Sequence, residues 1–451
     1  MGLLFLDGSV SMKITHRVSR RKFIGSGAAL TAAAAAAPFV IPSGVLAAPG
    51  RPGANDRIGI GGIGVGRQGS EMVQVASRLK DARIVAVADV NRPRAEAFAA
   101  KMEAHPYSDY RKLLDRDDVD AIITATVDHW RALVCIHACQ AGKDIYAEKP
   151  LSHTVREGRL IERAVRKYER VLQTGSHWRS SPPNDAACKL VRDGRIGKIG
   201  EVVAHNYPSP WECALPSQPV PEGLDWDAWC GPTEPVPYHI DLYTPRANPG
   251  WISFRPYSGG EMTGWGTHGL DQVQCALGLD HTGPVEVWTE GGEFNPPTYG
   301  EPESRKRGDA VCSDPKVFFR YANGILLRLD DGPLGGGRFI GEQGTISIDC
   351  GKYWSDPPEI VGEAVKPWAL LRIRMAHLQN WLDCVRSREK PIADVEIGHR
   401  STTVCHLGNI ARWTGRKLRW DPVKEIFPDD AEANELLDRP RRKGFELPET
   451  I

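Results

Sequence analysis

From residue 57 onward, short apolar runs alternate with segments of helical periodicity. Short apolar runs bounded by polar residues fit buried strands. The predicted strands are Arg57–Ile63, Ile84–Asp89, Ala121–Thr126 and Asp144–Ala147. Helical patterns separate or follow them at Met72–Leu79, after Pro93, at Ala132–Ala141 and at Val155–Tyr168. Repeated βα units of this kind require a parallel sheet with helices on both faces, so residues 55–175 predict a Rossmann domain.

After residue 175 the pattern changes to loops rich in proline, tryptophan and glycine, followed by further strand-like runs. The runs at 317–321 and 324–329 are separated by the short turn Ala322-Asn323, which predicts antiparallel pairing. A third run covers 344–349, and helical patterns cover 375–386 and 399–414. We therefore predict an α/β protein whose second domain, residues 176–422, is α+β with a large, mainly antiparallel open sheet. Residues 423–451 are predicted to be a polar C-terminal tail.

Residues 1–48 have the order of a twin-arginine export signal. Paired arginines, Arg20 and Arg21, precede an alanine-rich run and then small residues near Ala48. Alanine, glycine and serine contribute little to membrane insertion, so we favour a removed signal over the alternative of a transmembrane anchor. We therefore expect export to the periplasm, with no stable membrane insertion after the signal is removed.

Charge and cysteine usage narrow the class of partner. Lys+Arg and Asp+Glu both number 57 in the 451-residue chain, which removes any bulk attraction to nucleic acid or an anionic membrane surface. The ten cysteines form neither a CxxC pair nor a zinc spacing, so no metal site is expected. Cys135 and Cys139 lie one helical turn apart in an apolar stretch, which predicts buried packing. The expected partner is a small, neutral molecule.

A glycine-rich turn follows the first predicted strand and opens a helix; its candidate cofactor contacts are Gly64, Val65, Gly66, Arg67 and Gly69. Such glycines bring the main chain close to a pyrophosphate, which binds free N–H groups at the helix N-terminus. Asp89, at the end of the second predicted strand, can bind the adenosine ribose hydroxyls and favours NAD over NADP. Two alternatives stay open: Arg92 and Arg94 could accommodate a 2′-phosphate, and Asp89 could be a turn residue.

Two further positions can carry chemistry. Lys149 follows the strand Asp144–Ala147, at the edge where open α/β sheets bind ligands, and can stabilise alkoxide charge. A Glu-Lys pair such as Glu148-Lys149 is also common on solvated surfaces. His268 and Asp271 have helical spacing, and imidazole suits proton transfer near neutral pH. The alternative for His268 is a capping or packing role at a helix start.

In combination, these segments resemble the Gfo/Idh/MocA oxidoreductase family. The resemblance covers nearly all of the chain after the signal and depends on short motifs in a fixed order. They are Gly64–Gly69, Ala88–Asn91, Thr126–Trp130, Glu148–Leu151, Gln173–Ser176, Trp226–Pro232, Gly259–Asp271, Asn380–Ser387 and Gly415–Asp421.

The resemblance implies a first domain that holds NAD or NADP, and a second whose open sheet presents its face to a sugar or polyol. Lys149 and His268 carry over as catalytic residues. Further cofactor contacts implied are Thr126, His129, Glu148 and Lys149. Substrate contacts implied are Lys149, Trp229, His268 and Asp271. The chain departs from the family at Gly264, where the pattern Asp-x-x-x-His that ends at His268 has its aspartate.

Three functions remain in competition. The favoured one is an exported NAD(P)-dependent oxidoreductase acting on a sugar or polyol, with a tightly bound nicotinamide recycled in the site, since no soluble NAD pool is expected outside the cytoplasm. The alternatives are an NAD-dependent glycoside hydrolase that works by transient oxidation and elimination, and a non-catalytic sugar-binding regulator. We also expect identical subunits to form a homo-oligomer. The tryptophans of the loop-rich segment could stack on sugar rings or anchor the loops; they are Trp211, Trp226, Trp229 and Trp251.

Overall fold

The structure, a computed structural model, describes residues 56–244, 250–300, 311–449 and 451. The export signal predicted for residues 1–48 lies outside these ranges. Within them, no helix is both long and apolar enough to cross a membrane.

Six parallel strands form the first sheet, in the order β3-β2-β1-β4-β5-β6. They are β1 Ile58–Ile63, β2 Ala82–Ala88, β3 His105–Tyr107, β4 Ala121–Thr124, β5 Asp144–Ala147 and β6 Leu172–Thr174. The helices of this part are α1 Arg67–Ala76, α2 Arg92–Met102, α3 Tyr110–Leu114, α4 Asp128–Gln140 and α5 Val155–Lys167. This order is that of a doubly wound Rossmann sheet, with its ligand crevice where β1 and β4 lead to opposite sides. The predicted Rossmann domain is confirmed.

Burial explains which strands could be predicted. Every residue of β1, β4 and β5 is buried, as expected for central strands covered by helices on both faces. The strands β3 and β6 have 3 residues each and were missed, because so short a run has no readable periodicity. Cys135 and Cys139 of α4 lie in the hydrophobic core beside this sheet, which confirms their packing role.

An eight-stranded sheet, of order β13-β12-β11-β7-β10-β9-β8-β14, forms the second part. Its strands are β7 Ile199–His205, β8 Glu286–Glu290, β9 Lys316–Arg320, β10 Leu326–Asp330, β11 Gly336–Gly341, β12 Gly344–Asp349, β13 Lys352–Asp356 and β14 Leu418–Arg419. Only β7 and β10 pair in parallel among these strands; the other neighbours are antiparallel. The predicted hairpin around Ala322-Asn323 is β9–β10, and the mainly antiparallel open sheet is confirmed.

The remaining helices are α6 Pro182–Arg192, α7 Trp226–Cys230, α8 Ile240–Tyr243, α9 Gly260–Gly264, α10 Gly266–Leu277, α11 Leu370–Ser387, α12 Val395–Thr414 and α13 Ala431–Glu435. Apolar residues of α10 and α12 pack with the eight-stranded sheet in one core. Helix α11 packs elsewhere: Leu378, Trp381 and Leu382 join the core around β1 and α1. The predicted second domain, residues 176–422, therefore includes a helix that covers the Rossmann sheet. This could not be predicted, because packing between distant segments leaves no local sequence pattern.

The segment after residue 423, predicted as a polar tail, also packs on the Rossmann part. Arg439 Nε and Arg441 Nη2 donate to Glu157 Oε1 at 3.0 and 2.9 Å. The Phe445 ring meets the Trp130 ring edge-on, with centroids 5.4 Å apart. Burial alone would raise the pKa of Glu157, but the two guanidinium groups lower it to about 2. A buried carboxylate is thus neutralised by residues from the end of the chain.

Candidate active site

A cavity of about 1010 Å³ opens at the carboxyl edge of the parallel sheet. Predicted residues on the Rossmann side of it are Gly64, Gly66, Arg67, Asp89, Thr126, Glu148 and Lys149. The other side is formed by helices and loops of the second part, including Trp229, Tyr243, Gly264 and His268. No strand of the eight-stranded sheet contributes a lining residue within the described ranges. On that side α9 and α10 line the cavity, and contact between the sheet face and a substrate stays a prediction.

Steric limits at the glycine turn explain its sequence. Gly64 has φ 76°, and a Cβ there would lie 2.9 Å from the Thr126 nitrogen. A Cβ on Gly69 would lie 1.9 Å from the Gly64 carbonyl oxygen, so this position holds the helix against the turn. Gly66 is different, because the nearest atom to its Cβ position is Arg94 Nη1, at 3.7 Å. The main chain at Gly66 is therefore approachable from the cavity, whereas Val65 and Gly69 do not line it and shape the turn from behind.

The N-terminus of α1 has the character of an anion site. Its N-cap residue, Gly66, makes no side-chain capping hydrogen bond. The first N–H groups of a helix have no partners within the helix, and they attract phosphate. Arg67, the first residue of α1, adds a cationic side chain to the cavity wall. The turn thus fits the pyrophosphate of a dinucleotide.

Asp89 lies directly after β2 and is 8% exposed. Its Oδ1 accepts a 2.9 Å hydrogen bond from the Asn91 N–H, and Arg94 Nη1 lies 3.5 Å from Oδ2. Burial raises the pKa of the Asp89 carboxyl, while Arg94 and the Asn91 N–H act against this rise. Arg94 Nη2 also donates to the hydroxyl of Tyr243 at 2.6 Å. The carboxylate is therefore held in place at the ribose end of a Rossmann site, and Arg94 is shared between Asp89 and Tyr243.

Arg131 was not predicted, yet it fixes the ends of two central strands. This α4 side chain is 2% exposed. Its Nη1 donates to the carbonyl oxygens of Glu148 and Pro150, and its Nη2 donates to that of Thr126. A helical arginine is ordinarily expected at the surface, so the sequence offered no signal for this role. Arg131 positions the main chain on both sides of Lys149.

Lys149 lies in the cavity wall, as predicted. Its Nζ donates a 2.9 Å hydrogen bond to the main-chain carbonyl of Gly264, the last residue of α9. The preceding residue, Glu148, is 3% exposed and accepts a 3.1 Å hydrogen bond from Gln68 Nε2. The fold therefore brings Lys149 to Gly264, the residue at the aspartate position of the family pattern. The acceptor there is the main-chain carbonyl oxygen of Gly264.

His268 lies in the first turn of α10 and also lines the cavity. Its ring is 5.0 Å from that of His177 and 5.8 Å from that of Trp265, measured between centroids. His177 in turn lies 5.0 Å from Trp178. Sequence reasoning missed His177 and Trp178, although they lie within four residues after β6, at the same edge of the sheet as Lys149. Strand β6 was itself missed, and with it this signal.

Besides Val65 and Gly69, two further predicted site residues lie outside the cavity lining. His129 is 1% exposed, and its Nε2 is 2.9 Å from the Trp229 carbonyl oxygen. Burial lowers the pKa of His129 to about 3, with Arg439 acting in the same direction. This side chain packs against α7, and its predicted contact with the cofactor stays a prediction.

Asp271 is the second predicted residue outside the cavity lining, and its predicted substrate contact stays a prediction. It is 1% exposed and does not line the cavity. Its carboxylate accepts from Arg179 Nε at 2.9 Å and from Ser401 Oγ at 2.8 Å. Asp271 lies almost one turn beyond His268 along α10, which places it deeper in the protein. Its role is to fix α10 to the segment that carries Arg179.

The tryptophans divide between both predicted roles. Trp229 and Trp251 line the cavity. Trp226 stacks on Trp229 with centroids 4.4 Å apart, and its Nε1 donates to the Val236 carbonyl at 2.7 Å. Trp211 packs in a separate aromatic core with Phe254. Two of the four are therefore packing anchors. Within the described ranges, no group of three or more His, Cys, Asp or Glu is placed to hold a metal ion.

A Rossmann crevice that faces a lysine and a second-domain histidine defines a class: oxidoreductases with a separate substrate domain. Residues 58–176 match the model of the oxidoreductase family, NAD-binding Rossmann fold (GFO_IDH_MocA). Residues 189–447 match the model of the oxidoreductase family, C-terminal alpha/beta domain (GFO_IDH_MocA_C2). The chain belongs to the Gfo/Idh/MocA oxidoreductase family, which confirms the resemblance seen in its motifs.

Similar proteins include dehydrogenases. The uncharacterized oxidoreductase YrbE of Bacillus subtilis is 34% identical over 270 residues, 60% of this chain and 65% of that protein. An inositol 2-dehydrogenase of Klebsiella pneumoniae is 32% identical over 143 residues, 31% and 42% of the two chains. A 2,7-anhydro-N-acetylneuraminate hydratase of Mediterraneibacter gnavus is 26% identical over 160 residues, 36% and 42% of the two. The chain therefore spans less than two thirds of each of these relatives.

Solved structures share the fold. The aldose-aldose oxidoreductase of Caulobacter crescentus, complexed with glycerol, has a TM-score of 0.58 at 18% identity and covers 80% of this chain and 99% of its own. Levoglucosan dehydrogenase in complex with NADH and levoglucosan has a TM-score of 0.57 at 17% identity, with coverage of 80% and 99%. At these identities the likeness shows the two-domain fold.

Proposed function

We propose that this protein transfers a hydride between a bound nicotinamide dinucleotide and a carbon of a sugar or polyol. The observation that carries the proposal is that one cavity contains both the glycine turn with Asp89 and the pair Lys149 and His268. Inositol 2-dehydrogenase and levoglucosan dehydrogenase, named among the similar proteins, support the polyol class.

The residues present fit the cofactor. Gly66 leaves the uncapped N-terminus of α1 open to a pyrophosphate, and Asp89 offers a buried carboxylate to ribose hydroxyls. When bound, the nicotinamide ring supplies the hydride acceptor or donor. NAD is favoured, because Asp89 would repel a 2′-phosphate and because Arg94 is already engaged by Asp89 and Tyr243.

The chain itself supplies the proton chemistry. During oxidation the substrate hydroxyl loses its proton while hydride leaves the adjacent carbon. His268 is the group proposed to take that proton, since imidazole exchanges protons near neutral pH. The Lys149 ammonium, oriented by the Gly264 carbonyl, stabilises the developing alkoxide. Reduction runs through the same contacts in reverse.

The nucleotide is proposed to stay in the site between turnovers. An exported enzyme meets no soluble NAD pool, so a nucleotide lost at each turnover could not be replaced. Export by the twin-arginine route and self-association of identical subunits belong to the same proposal. A fusion of residues 1–55 to a reporter, in cells with and without a functional twin-arginine translocon, tests the first; light scattering tests the second.

A second candidate is redox-neutral glycoside cleavage, in which the bound NAD is reduced and reoxidised within one turnover. Two observations favour keeping it: the family aspartate is absent at Gly264, and one relative is named a hydratase. Transient oxidation of a ring hydroxyl acidifies the neighbouring C–H, elimination expels the glycosidic oxygen, and water addition followed by hydride return restores the sugar and the nucleotide.

The deciding experiment starts with purified protein. Denaturation followed by mass spectrometry identifies any resident nucleotide. Native protein is then mixed with myo-inositol, levoglucosan, D-glucose and aryl glycosides, without added acceptor. Net oxidoreduction predicts a single-turnover rise in absorbance of reduced nicotinamide. Redox-neutral cleavage predicts released aglycone over many turnovers. If the protein neither contains a nucleotide nor binds one on titration, both candidate functions are overturned.

Lys149→Met supplies the matched test of chemistry. We expect it to retain nucleotide but to lose hydride transfer by at least about a hundredfold, because alkoxide stabilisation is lost. Lys112→Met, at an exposed position of α3, is the control and should behave like wild type. Equal rates in wild type and Lys149→Met would instead favour a non-catalytic sugar-binding regulator.

A further inference from the structure

Four ring side chains form a continuous row on one side of the cavity, here called the four-ring wall. It consists of Trp178, His177, His268 and Trp265. Neighbouring ring centroids lie 5.0, 5.0 and 5.8 Å apart along the row. The two imidazoles thus stand side by side with an indole at each end, in the same cavity as Lys149.

His177 is open to a ligand in a way that a nearby buried histidine is not. It is 5% exposed, and neither ring nitrogen meets hydrogen-bond geometry with any of the described residues, although the main chain of Gly175 lies close enough to raise its pKa slightly against the effect of burial. His377 is also buried, but its Nδ1 lies 2.8 Å from Ser180 Oγ and its Nε2 lies 2.9 Å from the Thr174 carbonyl oxygen. Buried polar groups ordinarily have partners. The partner expected for His177 is therefore a molecule in the cavity.

Burial, together with the charges around it, keeps His177 neutral. Burial lowers its pKa well below 6.5, and His377, Arg374 and Lys149 act in the same direction. A neutral imidazole offers one N–H donor and one acceptor. A hydroxyl group also donates and accepts, so it is the matching ligand group.

We propose that His177 and His268 together bind adjacent hydroxyl groups of a sugar or polyol ring, and that His177 supplies the acceptor missing at Gly264. The flanking indoles of Trp178 and Trp265 pack on the apolar C–H faces of that ring. This inference rests on the proposed function, because it assigns the substrate contacts of the same site. It adds a specificity-determining residue, His177, that the family motifs do not contain, and assigns the two histidines to adjacent hydroxyl groups of the substrate.

The spacing of the two histidines is fixed by a buried ion pair behind them. Arg179, two residues after His177, donates from Nε to the Asp271 carboxylate at 2.9 Å. Asp271 belongs to α10, which carries His268. Both side chains of the pair are at least nine-tenths buried. Removal of Arg179 would leave the Asp271 carboxylate buried without its cationic partner, whereas Arg179 also pairs with Asp280 at 2.7 Å. The pair is a positioning device for the four-ring wall.

The test uses nucleotide-loaded protein labelled with ¹³C at histidine Cε1. The signals of His177 and His268 are assigned with His177→Gln and His268→Gln. Addition of myo-inositol, D-glucose or levoglucosan should shift both signals for at least one polyol, whereas cyclohexanol, which has one hydroxyl, should not shift both. A shift of the His268 signal alone, or of neither signal with any of the three polyols, overturns the proposal.

Binding measurements provide a second readout. His177→Phe keeps a ring of similar shape but no hydrogen-bonding atoms, so polyol affinity should fall about tenfold or more, with nucleotide affinity unchanged. In His177→Gln the polyol affinity should fall less, because the amide can form a hydrogen bond with a hydroxyl. This variant replaces His177→Phe in the measurement if His177→Phe does not fold. His281→Gln, at an exposed position, is the control. Wild-type polyol affinity in His177→Phe overturns the inference. Polyol binding at both histidines without hydride transfer in wild type would overturn the proposed function and leave this inference standing.

Discussion

The Lys149 ammonium and the Gly264 carbonyl are joined by a 2.9 Å hydrogen bond. Family members that follow the Asp-x-x-x-His pattern have a carboxylate on the residue at this position, whereas here the main chain orients the lysine. A carbonyl is neutral and takes up no proton, so Lys149 keeps its orientation but loses an anionic neighbour. We therefore expect proton exchange in this site to depend on His268 of the four-ring wall.

Substitutions of Gly69 and Gly66 distinguish the role of the glycine turn in folding from its role in nucleotide binding. Gly69→Ala places a Cβ 1.9 Å from the Gly64 carbonyl oxygen, so the turn must shift. We expect loss of nucleotide binding and a stability loss of about 1–3 kcal/mol, measured by urea unfolding. Gly66→Ala meets no atom closer than 3.7 Å and should fold with wild-type stability. Its methyl group faces the phosphate position, so nucleotide affinity alone should fall. Equal stability in both variants would contradict the assignment.

Tyr243 is expected to control the choice between NAD and NADP. Its hydroxyl accepts from Arg94 Nη2 at 2.6 Å and from Asn91 Nδ2 at 3.0 Å. Tyr243→Phe releases Arg94, which can then pair with a 2′-phosphate. The ratio of NADP to NAD affinity should rise by about tenfold, as expected for loss of a hydrogen bond to a charged group. Tryptophan fluorescence titration of nucleotide-stripped protein measures both affinities. Tyr353→Phe, in β13, is the control. An unchanged ratio of NADP to NAD affinity in Tyr243→Phe would show that Tyr243 does not hold Arg94 away from a 2′-phosphate.

The residues that could be predicted from sequence are those whose role is local. The glycine turn, Asp89 and Lys149 each follow a strand directly, so strand prediction alone places them at one edge of the sheet. His268 was found through a motif, and the structure places it in the same cavity.

The residues that were missed depend on contacts between distant segments. Arg131 is defined by the carbonyl groups around it, and Tyr243 by residues about 150 positions earlier in the chain. His177 was missed because β6 was too short to recognise. The burial of Asp271 could not be predicted either, because helical spacing indicates which side of α10 it occupies but not how deep that side is buried. Helical periodicity predicts the face of a helix on which a side chain lies. How deeply that face is buried depends on the packing of the whole fold.

The C-terminal segment is predicted to contribute substantially to stability through Glu157. Glu157→Gln removes the charge that compensates Arg439 and Arg441 in a buried setting, and breaking such a pair costs about 3–5 kcal/mol. Urea unfolding at neutral pH measures the loss. Glu432→Gln is the matched control, because its pair with Arg416 is exposed and should contribute less than about 1 kcal/mol. Similar losses in both variants would show that the segment is not held by this buried pair.

Acid should destabilise the fold through its buried histidines. Burial lowers the pKa of His129 to about 3 and those of His377 and His406 to about 4, against 6.5 in an unfolded chain. Between pH 6.5 and 4 the unfolded chain binds protons that the folded chain does not, so stability falls as pH falls. Each histidine contributes up to about 1.4 kcal/mol per pH unit in this window.

Urea midpoints measured from pH 7.5 to 5, at a fixed nucleotide concentration, should therefore decrease steadily below pH 6.5. Holding the nucleotide constant matters because a ligand bound to the folded state adds its own stability. His406→Gln should reduce the slope by about one proton, since a buried site that must stay neutral is removed. His281→Gln should leave the slope unchanged, because His281 is exposed. A midpoint independent of pH over this range would mean that these imidazoles are accessible to protons in the folded chain.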